Sequence, residues 1–114
     1  MALTESIEYD KIEVVGTYKA VQVRKATVIK KDGLEIAGSR SFQRYTLSCG
    51  SLDASDNLVD NPLDKEPDGV TAIPDDVKSI CGIVWTADVK SAYKALLIAN
   101  KSERYWQFLR EHLI

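Results

Sequence analysis

The hydropathy pattern divides the chain into three parts. Between residues 6 and 50, apolar and polar positions alternate imperfectly, the signature of half-buried strands. The run from Ile7 to Val15, IEYDKIEVV, ends at Gly16, and the run from Ala20 to Lys31, AVQVRKATVIKK, is rich in β-branched residues. Asp32-Gly33 follows, and the pattern returns from Leu34 to Cys49. Asp-Gly between two strand-like runs predicts a two-residue type I′ turn, which needs φ > 0 at both central positions.

That turn sets a register. It places Ile29 opposite Ile36, Thr27 opposite Gly38, Val23 opposite Phe42 and Val21 opposite Arg44. The other face then carries Ala20, Ala26, Val28, Ala37 and Tyr45. One consequence is unfavourable, since Lys25 falls opposite Arg40 and directly opposed like charges destabilise a sheet. A bulge at Gly38-Ser39 would change the register beyond it. Both faces of this hairpin carry apolar residues, whereas a hairpin with one solvated face alternates cleanly. Either helices cover one face and another protein covers the other, or the hairpin projects and pairs with copies of itself; the alternative is the imperfect alternation often found in small β domains.

Residues 51–74 hold all three prolines and few apolar residues, and read as a long loop. Residues 75–114 change to helical spacing. Pro74 suits a first helical position, with Asp75 and Asp76 at the positive end of the dipole. Val77, Ile80, Cys81 and Val84 form one stripe. Thr86 is placed to cap a second helix bearing Val89, Ala92, Tyr93, Leu96 and Leu97. Asn100-Lys101-Ser102 breaks the stripe, and Ser102 could cap a third helix with Tyr105, Trp106, Leu109 and Leu113. The expected fold is a single α+β domain spanning 1–114: a long antiparallel β-hairpin plus an N-terminal strand, a meander, packed on two or three C-terminal helices. Within it, 6–50 is β-rich, 51–74 is an acidic loop and 75–114 is helical.

Composition adds charge segregation. The 114 residues carry 15 basic and 17 acidic side chains, for a net charge of −2. Residues 1–50 hold eight basic and six acidic residues, 51–76 one and eight, and 77–114 six and three. No large basic excess marks a nucleic-acid coat. Arg24, Lys30, Arg40, Arg44 and Tyr45 interleave charge and aromatic surface on strands, in the manner of a single-strand platform. The basic excess there is only two, so nucleic acid is an unlikely partner. No apolar run approaches the roughly 18–20 residues of a membrane span, and the polar start MALTES does not read as a signal peptide.

Few residues point to chemistry. Asp64, Glu66, Asp68, Gly69 and Asp75 fit D-x-E-x-D-G-x5-D, close to a calcium loop in which alternate carboxylates converge on a hard cation. Glu at the third position, Asp at the twelfth and the lack of an entering helix depart from that pattern; the alternative is a solvated acidic loop. No other cofactor is implied. Cys49 and Cys81 are too far apart for a Cys-x-x-Cys motif and read as buried reduced thiols, with a bridge as the other option. The one histidine, His112, stands two residues from the end, and no phosphate loop, nucleophile elbow or zinc-protease motif occurs. No enzyme activity is expected.

Two stretches carry a resemblance. IEYDKIEVVGTYKAVQVRKATVIKKDG, residues 7–33, and ICGIVWTADVKSAYKA, residues 80–95, resemble small uncharacterised proteins of marine tailed bacteriophages, often encoded near tail-fibre genes. Together they cover under half of the chain. The acidic middle is longer here, Gln43 replaces a histidine expected after Ser41-Phe42, and the aromatic C-terminus is extended. The resemblance implies a virion or host-cytoplasmic role and no enzyme activity, and it carries no functional residues. The resulting expectation is a phage structural or assembly module that contacts protein partners, including its own copies. Val21, Val23, Ile29, Ile36, Phe42, Trp85, Tyr105 and Trp106 are the interface candidates, since Trp and Tyr are enriched at such surfaces. The alternatives are a small phage regulatory protein that binds a host protein or single-stranded nucleic acid, and a calcium-stabilised binding module.

Overall fold

The computed structural model describes residues 2–112, with side chains as far as Lys101 and that of Arg110. The fold is α+β: antiparallel strands followed by two C-terminal helices. It separates into two compact units, Met1–Val15 with Ala20–Leu47, and Gly16–Lys19 with Ser48–Ile114.

The first unit is a meander on a central strand. β1 (Leu3–Val15) and β3 (Leu34–Glu35) with β4 (Ser41–Leu47) flank β2 (Ala20–Lys31) on its two sides. The turn between β2 and β3 is the expected one. Asp32 and Gly33 have φ of 51° and 84°, and Lys31 faces Leu34 and Lys30 faces Glu35. The Ile36 amide still donates to the Ile29 carbonyl at 2.9 Å, so the first register runs that far. Beyond it the chain makes an excursion through Gly38, at φ 75°. It re-enters three residues out of register, with Thr27 opposite Ser41, Val23 opposite Tyr45 and Val21 opposite Leu47.

Three is odd, so every β4 side chain lies on the face opposite to that set by the turn alone. The physical reason is visible at the far end. The shift delivers Leu47 beside Val21 and Val23, and all three are buried. It also separates Lys25 from Arg40, leaving Gln43 opposite Lys25.

A second irregularity sits on β1. Tyr9 faces Lys25 but Lys11 faces Arg24, so Asp10 is an extra, bulged residue. The bulge absorbs the break in alternation at Asp10-Lys11. Ile7 and Tyr9 before it, and Ile12 and Val14 after it, therefore share one face with Val21 and Val23. We call this the front face. The back face carries Gln22, Arg24, Ala26 and Val28. Burial changes sides along β2: Val21 and Val23 are buried on the front, Ala26 and Val28 on the back. Fully burying each valine stabilises the fold by roughly 1.5–3 kcal/mol.

The second unit revises the expected loop. Residues 51–74 are not one long connection but contain β5 (Gly50–Leu52) paired with β6 (Leu58–Asp60), then a bridge from Lys65 to Ala72. Local hydrogen bonds replace the missing apolar content. The Asp53 carboxylate accepts from the amides of Ser55 and Asn57, each at 2.9 Å, and the Asn61 side-chain amide donates to the Ser48 carbonyl at 2.9 Å.

Helix α1 (Asp75–Val84) starts one residue after Pro74, which is its cap and not its first helical residue. Its stripe faces inward as expected, with Val77 and Cys81 buried and Ile80 and Val84 half-buried. Helix α2 (Ala87–His112) is capped by Thr86, whose hydroxyl accepts from the Val89 amide at 3.3 Å. It runs on through Asn100-Lys101-Ser102 without a break, so there is no separate third helix. Those residues lack the Gly or Pro that would end a helix, and Asn100 and Lys101 are solvent-exposed, where polar residues are tolerated in a helix.

Gly50 is the most closely approached glycine in this unit. A Cβ there would stand 2.4 Å from the Val59 carbonyl oxygen on the paired strand. Gly50→Ala is expected to destabilise the chain by about 1–3 kcal/mol, read as a lowered urea midpoint with an unchanged slope.

Candidate functional site

The front face of the hairpin tip is the candidate site. Leu3, Ile7, Ile29, Leu34 and Ile36 are exposed by 63, 56, 39, 76 and 38% respectively. The register brings them together. Leu3 lies opposite Lys31, Ile7 opposite Thr27, Leu34 opposite Lys31 on the other side, and Ile36 opposite Ile29. The five side chains thus stand on β1, β2 and the segment formed by β3 and the residue that follows it. Their exposed surface is on the order of 500 Å², within the range of the largest patch on a typical monomer and often functional at that size.

The backbone under this patch is pinned. Ser39 Oγ stands 3.4 Å from the Ile29 amide nitrogen, 3.2 Å from the Ile29 carbonyl oxygen and 2.7 Å from the Ile36 carbonyl oxygen. A single hydroxyl so substitutes for backbone partners lost at the register break. The Asp32 amide donates to the Ala2 carbonyl at 3.0 Å, and the Ala2 amide donates to the Asp32 carboxylate at 3.2 Å. The start of β1 is therefore tied to the turn.

The back face is a charge lattice. Arg24 forks onto the bulged Asp10, with Nε at 3.0 Å and a terminal nitrogen at 2.7 Å from its two oxygens. The same guanidinium stands 4.4 Å from the centre of the Phe42 ring. Arg40 pairs with Glu35 on β3, with Glu8 on β1 at 3.2 Å, and more distantly with Asp10 at 3.9 Å. Its guanidinium therefore crosses β2 at the level of Ala26 and Val28, neither of which has exposed surface. The Arg24 hydrogen bond holds the Asp10 carboxyl below its usual range.

The residues of the single-strand pattern have other neighbours here. Arg24, Lys30 and Arg40 each meet a carboxylate, and Tyr45 lies on the other face, opposite Val23. Arg44 is opposite Arg24 and makes no ion pair among the described residues. It lines a shallow groove of about 160 Å³ with Lys11, Glu13, Gln22 and Thr46.

The interface candidates separate by environment. Ile29 and Ile36 are in the front patch. Phe42 is exposed too, but on the back face beneath Arg24. Val21 and Val23 must be withdrawn, because they have essentially no exposed surface. Trp85 is likewise withdrawn: it is buried, and its indole N–H donates to the Lys19 carbonyl at 2.7 Å. Tyr105 and Trp106 lie outside the residues whose side chains are described. Leu3, Ile7 and Leu34 were missed as candidates. Their signal was present, since the Asp32-Gly33 turn sets Leu34 opposite Lys31 and period two places Leu3 with Ile7.

The calcium-loop residues are not brought together. Among the described residues no group of three His, Cys, Asp or Glu side chains is arranged to hold a metal. Asp68 turns inward on its own loop, accepting from the amides of Val70 and Thr71, each at 2.9 Å, and from the Thr71 hydroxyl. Glu66 is buried, and Asp75 opens α1. Gly69, at φ 76°, closes a tight turn through its amide to the Glu66 carbonyl at 2.9 Å. The spacing that resembles a cation loop also builds a tight hairpin turn. No helix among the described residues is long and apolar enough to cross a membrane.

Both cysteines are free and buried. Burial raises the Cys49 thiol and pushes Cys81 up to about 11. Near pH 8 neither thiol is expected to be alkylated until the chain is denatured; rapid labelling of the native protein would contradict the packing. Above pH 9.0, the ordinary value, the unfolded chain loses the Cys81 proton while the folded chain keeps it up to about 11. Stability should therefore fall across that interval, and less so in Cys81→Ala.

The sign is opposite for Asp10. Its folded value lies below the ordinary 3.8, so its contribution is present above about pH 4 and is lost as the pH falls through the folded value. Asp10→Asn should flatten the acid limb of a stability-against-pH curve and leave the limb above pH 9 unchanged. Compared with protein-family models, with curated proteins and with solved structures, the chain matches none.

Proposed function

We propose that this chain is a non-enzymatic structural or assembly module of a tailed phage, acting through protein–protein contacts made by the front face of its hairpin tip. The observation that carries the reading is the aliphatic patch of Leu3, Ile7, Ile29, Leu34 and Ile36, exposed on a backbone held by Ser39 and by the type I′ turn. Exposed apolar area of this size has a cost in water unless a partner covers it. The opposite face supports the same division of labour, because its charges are largely satisfied within the sheet. The resemblance of residues 7–33 and 80–95 to small phage proteins supports the setting, a virion or the host cytoplasm.

The test is incorporation. In a phage that encodes the chain, purified particles are expected to contain it, detected by mass spectrometry. A Leu34→Asp, Ile36→Asp variant, folded by circular dichroism, is expected to be lost from them. Absence of the unmodified chain from particles, or incorporation of the variant at the unmodified level, would overturn the reading.

A further inference from the structure

We infer that the partner covering the hairpin tip is a second copy of this chain, packed front face to front face with the strands of the two sheets crossing near a right angle. The inference rests on the proposed contact role of that face and names what fills it.

Two charges interrupt the aliphatic surface. Within the patch the front face carries Glu5 and Lys31, both exposed, and among the described residues neither makes an ion pair. Every other charged side chain on the tip, among the described residues, has a neighbour: Glu8, Lys30, Glu35 and Arg40 pair on the back face, Lys25 lies over the Tyr9 ring at 5.6 Å, and Asp32 holds the Ala2 amide. Two unpaired charges of opposite sign at the border of an apolar patch are what a self-complementary surface requires.

Their positions select the arrangement. Glu5 is the neighbour of Ile29 across the sheet, on β1, and Lys31 is its neighbour along β2. Strands lie about 4.8 Å apart and same-face residues about 6.8 Å apart along a strand, so the two steps are similar in length. Two sheets can pack aligned or orthogonally. Aligned packing on Ile29 fails on charge. A twofold axis parallel to the strands stacks Lys31 on its own copy, and one across the strands stacks Glu5 on its own copy.

An axis lying along the diagonal from Leu3 to Ile29 exchanges the two directions. It sets Glu5 against Lys31 of the second copy, and Lys31 against Glu5. Ile7 meets Leu34, while Leu3 and Ile29 each meet their own counterparts. All the aliphatic contacts but one are then apolar on both sides; Ile36 meets Thr27. The area also suffices. A standard interface removes roughly 800 Å² per partner, of which somewhat over half is apolar, close to the patch on one copy.

The experiment is sedimentation equilibrium on the full chain and four variants, each first matched to the parent by circular dichroism. The parent is expected to dimerise in the micromolar range, and Leu34→Asp to be monomeric. Glu5→Lys alone and Lys31→Glu alone, each counted twice across the twofold, should weaken the dimer at least about tenfold. The double variant Glu5→Lys, Lys31→Glu should recover to within about threefold of the parent. A parent that stays monomeric near millimolar concentration would overturn the inference, and so would a dimer indifferent to Leu34→Asp. A double variant as weak as the single ones would overturn the crossed geometry. None of these results depends on particle incorporation, so a dimer absent from particles would refute the phage role alone.

Discussion

Strand β2 has to serve two neighbours in incompatible registers, and the excursion from Ile36 to Arg40 is how the chain resolves this. The type I′ turn dictates one pairing next to Asp32-Gly33. Burial of Leu47 beside Val21 demands another, three residues away. Because the offset is odd, the same excursion decides the face of every side chain on β4. Phe42 and Arg44 go to the back, Tyr45 and Leu47 to the front. Ser39 is the economical part of the solution, since one hydroxyl near the Ile29 and Ile36 backbone groups limits what the break leaves unsatisfied.

The back-face lattice follows from this break. Arg40 can reach Glu8 and Asp10 only because the excursion places it level with the middle of β2 and because Ala26 leaves room above the strand. Asp10 is available because the β1 bulge adds it to the row without displacing Glu8 or Lys11. Two register irregularities, one on each side of β2, thus converge on one network. That network turns a segment with an excess of basic residues into a face with little free positive charge, and Arg44 remains as its unpaired cation among the described residues. Exposed ion pairs contribute little stability singly. Their consequence here is directional: they satisfy one face of the tip and leave the aliphatic face as the one in need of a partner.

Local signals in the sequence were read well where a short-range rule governs. Asp32-Gly33 specified its turn, Thr86 its cap and Val77-Ile80-Cys81-Val84 its inward stripe, because each depends on residues within about two helical turns of one another. The two-sided hairpin was also legible, since Val21 and Val23 are out of phase with Ala26 and Val28. What failed was non-local. Nothing near Gly38 states the size of the register shift, which is settled by Leu47, nine residues on. The acidic middle was misread because its strands are held by side chains such as Asp53 and Asn61 capping backbone groups, and not by hydrophobic alternation. The Asp64–Asp75 spacing satisfied a calcium-loop template for a related reason: Asp and Gly at those offsets also build a tight hairpin turn, and Asp68 does so.

The interface candidates show how the same apolar residue types divide once topology is known. Val21 and Ile29 are both β-branched, lie on the same strand and on the same face, eight residues apart. One has no exposed surface and the other is open to solvent. Identity and periodicity cannot separate them, because the difference comes from what stands at each end of the strand. At the Val21 end, the shifted β4 delivers Leu47. At the Ile29 end, β3 is two residues long and the chain turns away into the excursion, so the front face there receives Leu34 and Ile36 and no covering segment among the described residues of its own unit. The break that completes the core at one end of the hairpin therefore leaves the aliphatic surface uncovered at the other. A single compromise over register both stabilises this unit and creates its contact face.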